Sequence, residues 1–305
     1  MNTKNKEKVM RKFKIAVPAG IGDYSWMHSK LSTIPDAEFE IFVPTGYPQR
    51  TKPFIDLLPN CIGSVGRHDY NDLMNWGRVK GGKTWEQIKK NNNDGKAFIY
   101  LQANEHLGRG EPLADWLPDL KTDFHYKIDI DFENKYPWPE KYKNKKKIGI
   151  TMASMRGIRA WNAWLPETWA EFIKRVNRDH PGVVFVLLGG QWDIDTAVEL
   201  MGILGDKIEV LDLVGKTDTK QVIKIIDEVD YFIGYSSGLT VLRTVVNKPG
   251  TTLWPRHQAK LINSWAPPEM IDSRDYMGFV YDSAERIYNR VKGKIKEALN
   301  GSRRT

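Results

Sequence analysis

The second half of the chain alternates short apolar runs with segments whose apolar residues recur at helical spacing. The continuous apolar run at 183–190 predicts a strand buried on both faces, because helices on either side leave such a strand no polar face. Segment 146–153 predicts another strand. Segment 166–180 carries Trp169, Phe172 and Val176 on one stripe and predicts an amphipathic helix. We predict further strands at 208–215, 230–238 and 250–255, and further helices at 193–204, 219–229, 239–247 and 284–301. This pattern is typical of a parallel sheet with helices on its faces.

The first half shows the same alternation in shorter pieces. Strands are predicted at 14–17, 38–45 and 97–103, and helices at 22–31, 52–59 and 85–91. The fold class is therefore α/β, with two doubly wound, Rossmann-like parallel sheets facing a central cleft. In such sheets ligands bind beyond the carboxyl ends of the strands.

A polar, lysine-rich segment with prolines, 131–147, lies between the two patterns and is the best linker in the chain. We place an N-terminal domain at 1–135 and a C-terminal domain at 136–280. Residues 281–305 are expected to form a C-terminal helix and tail that pack back on the N-terminal domain.

Composition narrows the class of protein. The chain has 305 residues, 41% of them apolar, and no apolar stretch approaches the roughly 18 residues of a membrane-spanning helix. The apolar run after the basic N-terminus is too short for a signal peptide. Cys61 is the single cysteine, so no intramolecular disulfide forms, and we expect a cytoplasmic location. The net charge of +8 reflects solvated tails and linker, or attraction to anions such as nucleotide diphosphates, nucleic acid or acidic membranes.

Small residues at the ends of the second-half strands suggest an anion site. Ser236, Ser237 and Gly238 lead from a strand into a helix, where backbone N–H groups and hydroxyls suit a phosphate or diphosphate. Helix capping by either serine explains the same residues equally well. Two arginines in the loop after the first strand of this half could neutralise a diphosphate, or simply be solvated. The full set of candidates at this edge is Thr151, Ser154, Arg156, Arg159, Gly189, Gly190, Ser236, Ser237 and Gly238.

These residues belong to a longer sequence pattern that resembles a known protein family. "LLGG" before a helix, followed by "DLVGKTDTKQVIKIIDEVDYFIGYSSGLTVLRTVVNKPGTTLW", resembles the donor-binding half of the family 9 glycosyltransferases, which are heptosyltransferase-like enzymes of GT-B fold. Residues 163–166, Ala-Trp-Leu-Pro, are an approximate version of the family's Trp-Pro after a basic residue. The opening "GIGDYSWMHSKL" resembles the family's first Gly-Asp turn, and the resemblance maps the proposed general base onto Asp23.

Two positions depart from the family pattern. Ser236 stands where the family usually has Asp, and Val241 stands where it usually has His. The contacts to the donor sugar or nucleotide are therefore expected to differ, and a heptose donor is not supported. The sequence fits a divergent relative with its own donor and acceptor.

The resemblance implies inverting, metal-independent transfer of a sugar from a nucleotide-diphosphate sugar, with no cofactor. A carboxylate takes the proton of the attacking acceptor hydroxyl, and Asp23 suits that role, although it could also cap the helix that follows. Helix N–H groups and arginines stabilise the departing diphosphate. The N-terminal domain would then bind the acceptor, with side chains drawn from Gly22, Tyr24, Trp26, His28 and His106.

Three alternatives stay open. The triplets Asp129-Ile130-Asp131 and Asp193-Ile194-Asp195 could hold a divalent metal, and Asp193 or Asp195 could instead contact the ribose of the donor. A dinucleotide-binding oxidoreductase is a second alternative, but Ser25 replaces the third glycine of its fingerprint.

The third alternative is a non-catalytic nucleic-acid-binding protein, which basic charge and many aromatic residues favour, although no known nucleic-acid-binding motif is visible. A glycosyltransferase acting on a hydroxymethylated base in DNA would combine both features, since it must unstack its target base. The expected acceptor is DNA of this kind, or equally a lipopolysaccharide, a protein or another glycan.

Overall fold

The computed structural model describes residues 11–16, 21–22, 36–44, 55, 60–67, 98–100, 135–153, 163–246, 248–254, 277–279 and 282–301. The chain divides into two compact units, Met1–Ile130 and Asp131–Thr305. Within the described part of the chain, no helix is both long and apolar enough to span a bilayer.

The first unit contains a parallel sheet whose strands lie in the order β3-β2-β1-β4. In β2 the side chains of Ala37, Phe39 and Ile41 are buried, and the residues between them are half-buried, as the period of two requires. Its four strands are β1 (Arg11–Ala16), β2 (Ala37–Pro44), β3 (Cys61–Arg67) and β4 (Phe98–Tyr100).

Among its described residues, the second unit contains a parallel sheet of six strands in the order β10-β9-β8-β5-β6-β7. This is the order of a Rossmann sheet, with β5 and β8 side by side at the centre. Its strands are β5 (Lys147–Thr151), β6 (Val184–Leu188), β7 (Val210–Asp212), β8 (Tyr231–Tyr235), β9 (Gly250–Trp254) and β10 (Met277–Phe279). We predicted no strand after β9, so β10 is an addition at the edge of the sheet.

Five α-helices are described in this unit, and the residues at the start of three of them explain where they begin. Pro166 opens the first of them, at a position where its missing N–H is not needed. Asp218 and Gln221 form a reciprocal capping box, and the Ser283 hydroxyl accepts from the N–H of Arg286. The helices are α1 (Pro166–Asp179), α2 (Ile194–Leu204), α3 (Thr219–Glu228), α4 (Gly238–Val245) and α5 (Ala284–Leu299).

The core of the second unit lies between the central strands and helices α1, α2 and α5. Every residue of β5, β6 and β8 is buried, and for β6 this confirms the prediction of a strand covered on both faces. The predicted stripe of Trp169, Phe172 and Val176 is fully buried in this core.

Helix α5 belongs to the same core. Its apolar side chains, including Ile287, Val291 and Ile295, are buried with those of the central strands. The apolar stripe of this helix lies in the second unit. That the C-terminal helix and tail pack back on the N-terminal domain stays a prediction. The stripe packs against α1 in that core. The hydroxyl of Tyr288 on α5 donates a hydrogen bond to Oδ2 of Asp179 on α1, 2.5 Å away.

The segment predicted as a linker is held against the second unit from residue 135 onward. The backbone N–H of Tyr136 and the indole N–H of Trp138 donate to the two carboxylate oxygens of Glu228, at 2.5 and 2.7 Å. Lys145 forms an ion pair with Glu209 next to β7. From residue 135 onward, the segment is therefore part of the folded second unit.

Candidate functional site

The carboxyl ends of β8, β5 and β6 lie side by side at one edge of the second sheet. Thr151 at the end of β5 pairs in register with Leu188 on one side and Gly234 on the other. Gly189, Gly190 and the turn at 236–238 follow directly from these neighbouring strands. The structure therefore brings together the described members of the predicted set at one edge.

The centre of this edge is the switch point of the sheet. From β5 the chain continues to β6 on one side, and from β8 it continues to β9 on the other, which opens a crevice where such sheets bind ligands. The two strands approach closely, because a Cβ added at Gly234 would overlap the side chain of Thr151. Glycine is needed at 234 for this contact.

The turn between β8 and α4 is stabilised by Thr240. The N–H of Ser237 donates to the Thr240 hydroxyl oxygen at 2.9 Å, and that hydroxyl lies 2.9 Å from the carbonyl oxygen of Ser237. The N–H of Ser236 donates to Leu253 on β9 at 3.0 Å. The helix then starts with the bond from the N–H of Val241 to the carbonyl of Ser237, 3.1 Å.

The Ser237 hydroxyl takes no part in this capping. Its oxygen is buried, and within the described residues it has no hydrogen-bonding partner. A buried hydroxyl without a partner is costly, and a ligand that accepts its hydrogen bond would remove that cost. Among the candidates at this edge that the structure describes, Ser237 therefore has a buried hydroxyl that is available to a ligand.

The turn after β6 is built from two glycines and the side chains that cover them. Asp193 is 1% exposed, and its Oδ2 accepts from the N–H of Gly190 at 3.1 Å. A Cβ at Gly189 would lie 2.5 Å from Oδ2 of Asp193, and a Cβ at Gly190 would overlap the Trp192 indole. The space beside the two glycines is filled by these two side chains.

Burial raises the pKa of Asp193 to about 7, although hydrogen bonds from the Gly190 backbone and the Trp192 side chain act to lower it. The group therefore titrates near neutral pH. Its neighbour in the triplet, Asp195, is exposed on α2. Among the described residues, no group of three or more His, Cys, Asp or Glu side chains is placed to hold a metal ion.

The loop after β7 is tied to the end of β6. The N–H of Gly215 donates to the carbonyl of Gly189 at 3.1 Å, and Leu213 donates to Leu187 at 3.0 Å. Gly215 has a φ of +69°, in the left-handed region that favours glycine. These bonds fix the ends of both strands.

Several predicted site residues lie outside the described part of the chain. Of the acceptor-side candidates, Gly22 is described; it is buried and helical. The predictions that fall outside are the general base Asp23, the loop residues Ser154, Arg156 and Arg159, the acceptor-side residues Tyr24, Trp26, His28 and His106, and the triplet Asp129-Ile130-Asp131.

Sequence analysis did not single out Trp192, which lies at this edge four residues after β6 and is 39% exposed. The signal was present as the spacing Gly189-Gly190-Gln191-Trp192-Asp193, in which a large side chain follows two glycines at a strand end.

Comparisons with known proteins bear on this edge. The model of glycosyltransferase family 9 (heptosyltransferase) matches residues 117–277, which include β5 to β9. No curated protein sequence matches the chain significantly.

Solved structures share the fold over nearly the whole chain. The E. coli ADP-heptose lps heptosyltransferase II has a TM-score of 0.63 at 14% identity, covering 94% of this chain and 99% of that one. A family 9 glycosyl transferase from Veillonella parvula has a TM-score of 0.62 at 14% identity, covering 94% and 98%. S. aureus MnaA with UDP has a TM-score of 0.54 at 11% identity, covering 95% and 91%.

The predicted α/β, GT-B fold is thereby confirmed. The family match covers just over half of the chain, including the edge formed by β8, β5 and β6. The chain belongs to glycosyltransferase family 9 and is a glycosyltransferase.

Proposed function

We propose that the protein transfers a sugar, with inversion, from a nucleotide-diphosphate sugar to an acceptor hydroxyl, and that the donor binds at the carboxyl edge of the second sheet. The observation that carries this proposal is the convergence of Thr151, Gly189 and Ser237 on neighbouring strand ends at a Rossmann switch point. The name of one structural relative includes ADP-heptose and that of another includes UDP, which supports a nucleotide-linked donor.

The donor diphosphate is placed at the turn between β8 and α4. Backbone N–H groups at the start of α4 and the buried Ser237 hydroxyl would donate hydrogen bonds to its oxygens. Arg156 and Arg159, in the loop after β5, would neutralise the charge that develops as the diphosphate leaves. This arrangement needs no metal ion, and metal independence is part of the proposal.

Asp23 is proposed as the general base. It follows Gly22 after the first strand of the first unit, where the acceptor is proposed to bind. As the acceptor oxygen attacks the anomeric carbon, its proton passes to the carboxylate, and the bond between that carbon and the diphosphate oxygen breaks. Attack opposite the leaving group inverts the configuration.

A glycan is the proposed acceptor, because the name of one structural relative includes lps. The net charge of +8 is the observation that favours DNA with hydroxymethylated bases as a second candidate. A cytoplasmic location stays a prediction from the cysteine content.

A screen of nucleotide sugars by thermal shift tests the donor, since a ligand of the folded state raises the melting temperature by mass action. The best donor is then offered to glycan acceptors and to hydroxymethylated DNA, with EDTA present and absent, and the anomeric configuration of the product is read by NMR. Stabilisation by nucleotide sugars and an inverted product are expected. No stabilisation by any nucleotide sugar, or retention of configuration, would contradict the proposal.

A further inference from the structure

Trp192 is a large aromatic side chain left partly open to solvent at the ligand edge of the second sheet. It lies in the short turn between β6 and α2, and 39% of it is exposed. The other exposed large apolar side chains in the described part of the chain are aliphatic, namely Leu165, Ile194 and Val198. An exposed indole therefore stands at the end of the strand that neighbours β5.

The Trp192 indole is held in place by two contacts. Its six-membered ring packs so closely on Gly190 that any side chain there would overlap it. The Trp192 side chain also hydrogen-bonds to the carboxyl group of Asp193, which is buried and accepts from the N–H of Gly190 at 3.1 Å. Because the ring is fixed by both contacts, little conformational entropy would be lost when a ligand binds its open part.

The distance from the proposed phosphate site suits a nucleotide. Strand β6 is two places from β8 in the sheet, about 10 Å at the usual strand spacing. In doubly wound sheets a nucleotide lies across the strand ends, with the phosphates at a helix N-terminus and the nucleoside over a neighbouring strand. A donor with its diphosphate near Ser237 would thus bring its nucleoside end to Trp192.

We propose that Trp192 is a specificity-determining residue whose indole stacks on the nucleobase of the donor. The inference rests on the proposed function, because it takes a nucleotide-linked donor as given. Stacking uses the π-face that every base presents, so it strengthens binding of nucleobase-bearing ligands over base-free phosphates. Asp193 acts here as a positioning residue, since it holds both the turn and the indole.

The experiment measures dissociation constants by calorimetry for the wild type, Trp192→Phe and Trp192→Leu. The probes are ADP, GDP, CDP, UDP and dTDP, with inorganic pyrophosphate as the base-free probe. Leucine keeps an apolar cover on Gly190 but cannot stack, whereas phenylalanine keeps an aromatic ring. Val198→Ala, an exposed apolar position on α2, is the matched control.

For the best nucleoside diphosphate, Trp192→Leu should weaken binding by roughly tenfold or more, and Trp192→Phe by less than about threefold. Pyrophosphate binding should be the same in all variants. If Trp192→Leu binds the nucleotide as tightly as the wild type, or loses pyrophosphate equally, the inference is overturned while the proposed function stands. If the wild type binds no nucleoside diphosphate, the proposed function fails as well.

A second measurement serves if Trp192→Leu does not fold. Stacking on a base changes indole emission, so adding the nucleotide should change the fluorescence of the wild type more than that of Trp192→Phe. Equal changes in the two proteins would show that Trp192 does not meet the base and would overturn the inference.

Discussion

The N–H of Ser237 donates to the hydroxyl of Thr240 at 2.9 Å, so the start of α4 is capped by a residue one turn along the helix. The Ser237 hydroxyl is not needed for that cap. The two hydroxyls, three residues apart, therefore have different roles: the hydroxyl of Thr240 stabilises the turn, and the hydroxyl of Ser237 is proposed to bind the donor.

This division predicts different results for two small substitutions. Ser237→Ala should change the free energy of unfolding by no more than about 0.5 kcal/mol, because it removes a buried hydroxyl without a partner in the described structure. It should weaken donor binding by about tenfold, the effect of losing one hydrogen bond to a charged group.

Thr240→Val is the matched comparison. It keeps the side-chain shape but removes the hydroxyl that bonds to Ser237, and should cost about 1–2 kcal/mol of stability. Urea unfolding and calorimetric titration of the donor measure both quantities. A Ser237→Ala protein that is strongly destabilised but binds the donor normally would reverse the assignment.

Asp23→Asn tests the proposed base. The amide cannot accept the hydroxyl proton, so kcat should fall by roughly 10²- to 10⁴-fold while the donor dissociation constant changes little. Transfer assays at saturating donor, with calorimetry for donor affinity, separate the two effects. Glu199→Gln, on the exposed surface of α2, is the control for loss of a carboxylate. Full activity in Asp23→Asn would remove Asp23 from the mechanism.

Asp193 predicts a pH dependence of stability. Its pKa is raised by burial from 3.8 to about 7, so between these values the folded protein holds a proton that the unfolded chain releases. This group therefore makes stability fall as pH rises from about 4 to about 7. Asp193→Asn keeps an oxygen acceptor for Gly190 and cannot ionise.

The melting temperature of Asp193→Asn, relative to wild type, should rise between pH 5 and pH 8, and a thermal melt at each pH measures it. Glu199→Gln, exposed on the same helix, should show a much smaller change. A difference between Asp193→Asn and wild type that is the same at both pH values would contradict the shifted titration.

Two glycines of the second unit should respond in opposite directions to alanine. Gly190→Ala would place a methyl group against the Trp192 ring and should destabilise the fold by about 1–3 kcal/mol. Gly202 lies inside α2 with open space where a Cβ would be, so Gly202→Ala should stabilise by about 0.5–1 kcal/mol. Denaturant unfolding of both variants checks the pair; equal effects would contradict the close packing at Gly190.

Glu228 is predicted to hold residues 135–138 in place. Glu228→Gln replaces one carboxylate oxygen by an NH₂ group, which cannot accept from Tyr136 or Trp138, and should cost about 1–3 kcal/mol. The neighbouring Asp227→Asn, at an exposed position, should change the free energy of unfolding much less. Equal stability of the two variants would argue against this anchor.

Patterns that depend only on burial were predictable from sequence. The continuous apolar run of β6 and the helical stripe of α1 are direct consequences of packing between two layers. Strand β3 was not predicted, because its sequence CIGSVGR is half small residues with weak β-propensity. Its pairing is also irregular, with a register shift beside Glu40.

The site was predictable in part. Small residues at strand ends marked the edge where Thr151, Gly189 and Ser237 meet, since parallel strands end together. The burial of Asp193 and the packing of Trp192 on Gly190 were not predictable, because both depend on the conformation of the turn that contains the two glycines. The cap of α4 was likewise not predictable, because the side chain that accepts from the N–H of Ser237 is that of Thr240, inside the helix, rather than that of a serine before it.

The contacts of residues 135–146 with the second unit determine where the polypeptide can be cut if that unit is to be expressed alone. A fragment cut at the first residue of β5 would contain every strand of the second sheet, yet it would leave Glu228 and Glu209 without the donors that Trp138 and Lys145 supply. A fragment beginning at Asp131 keeps those contacts and should fold alone.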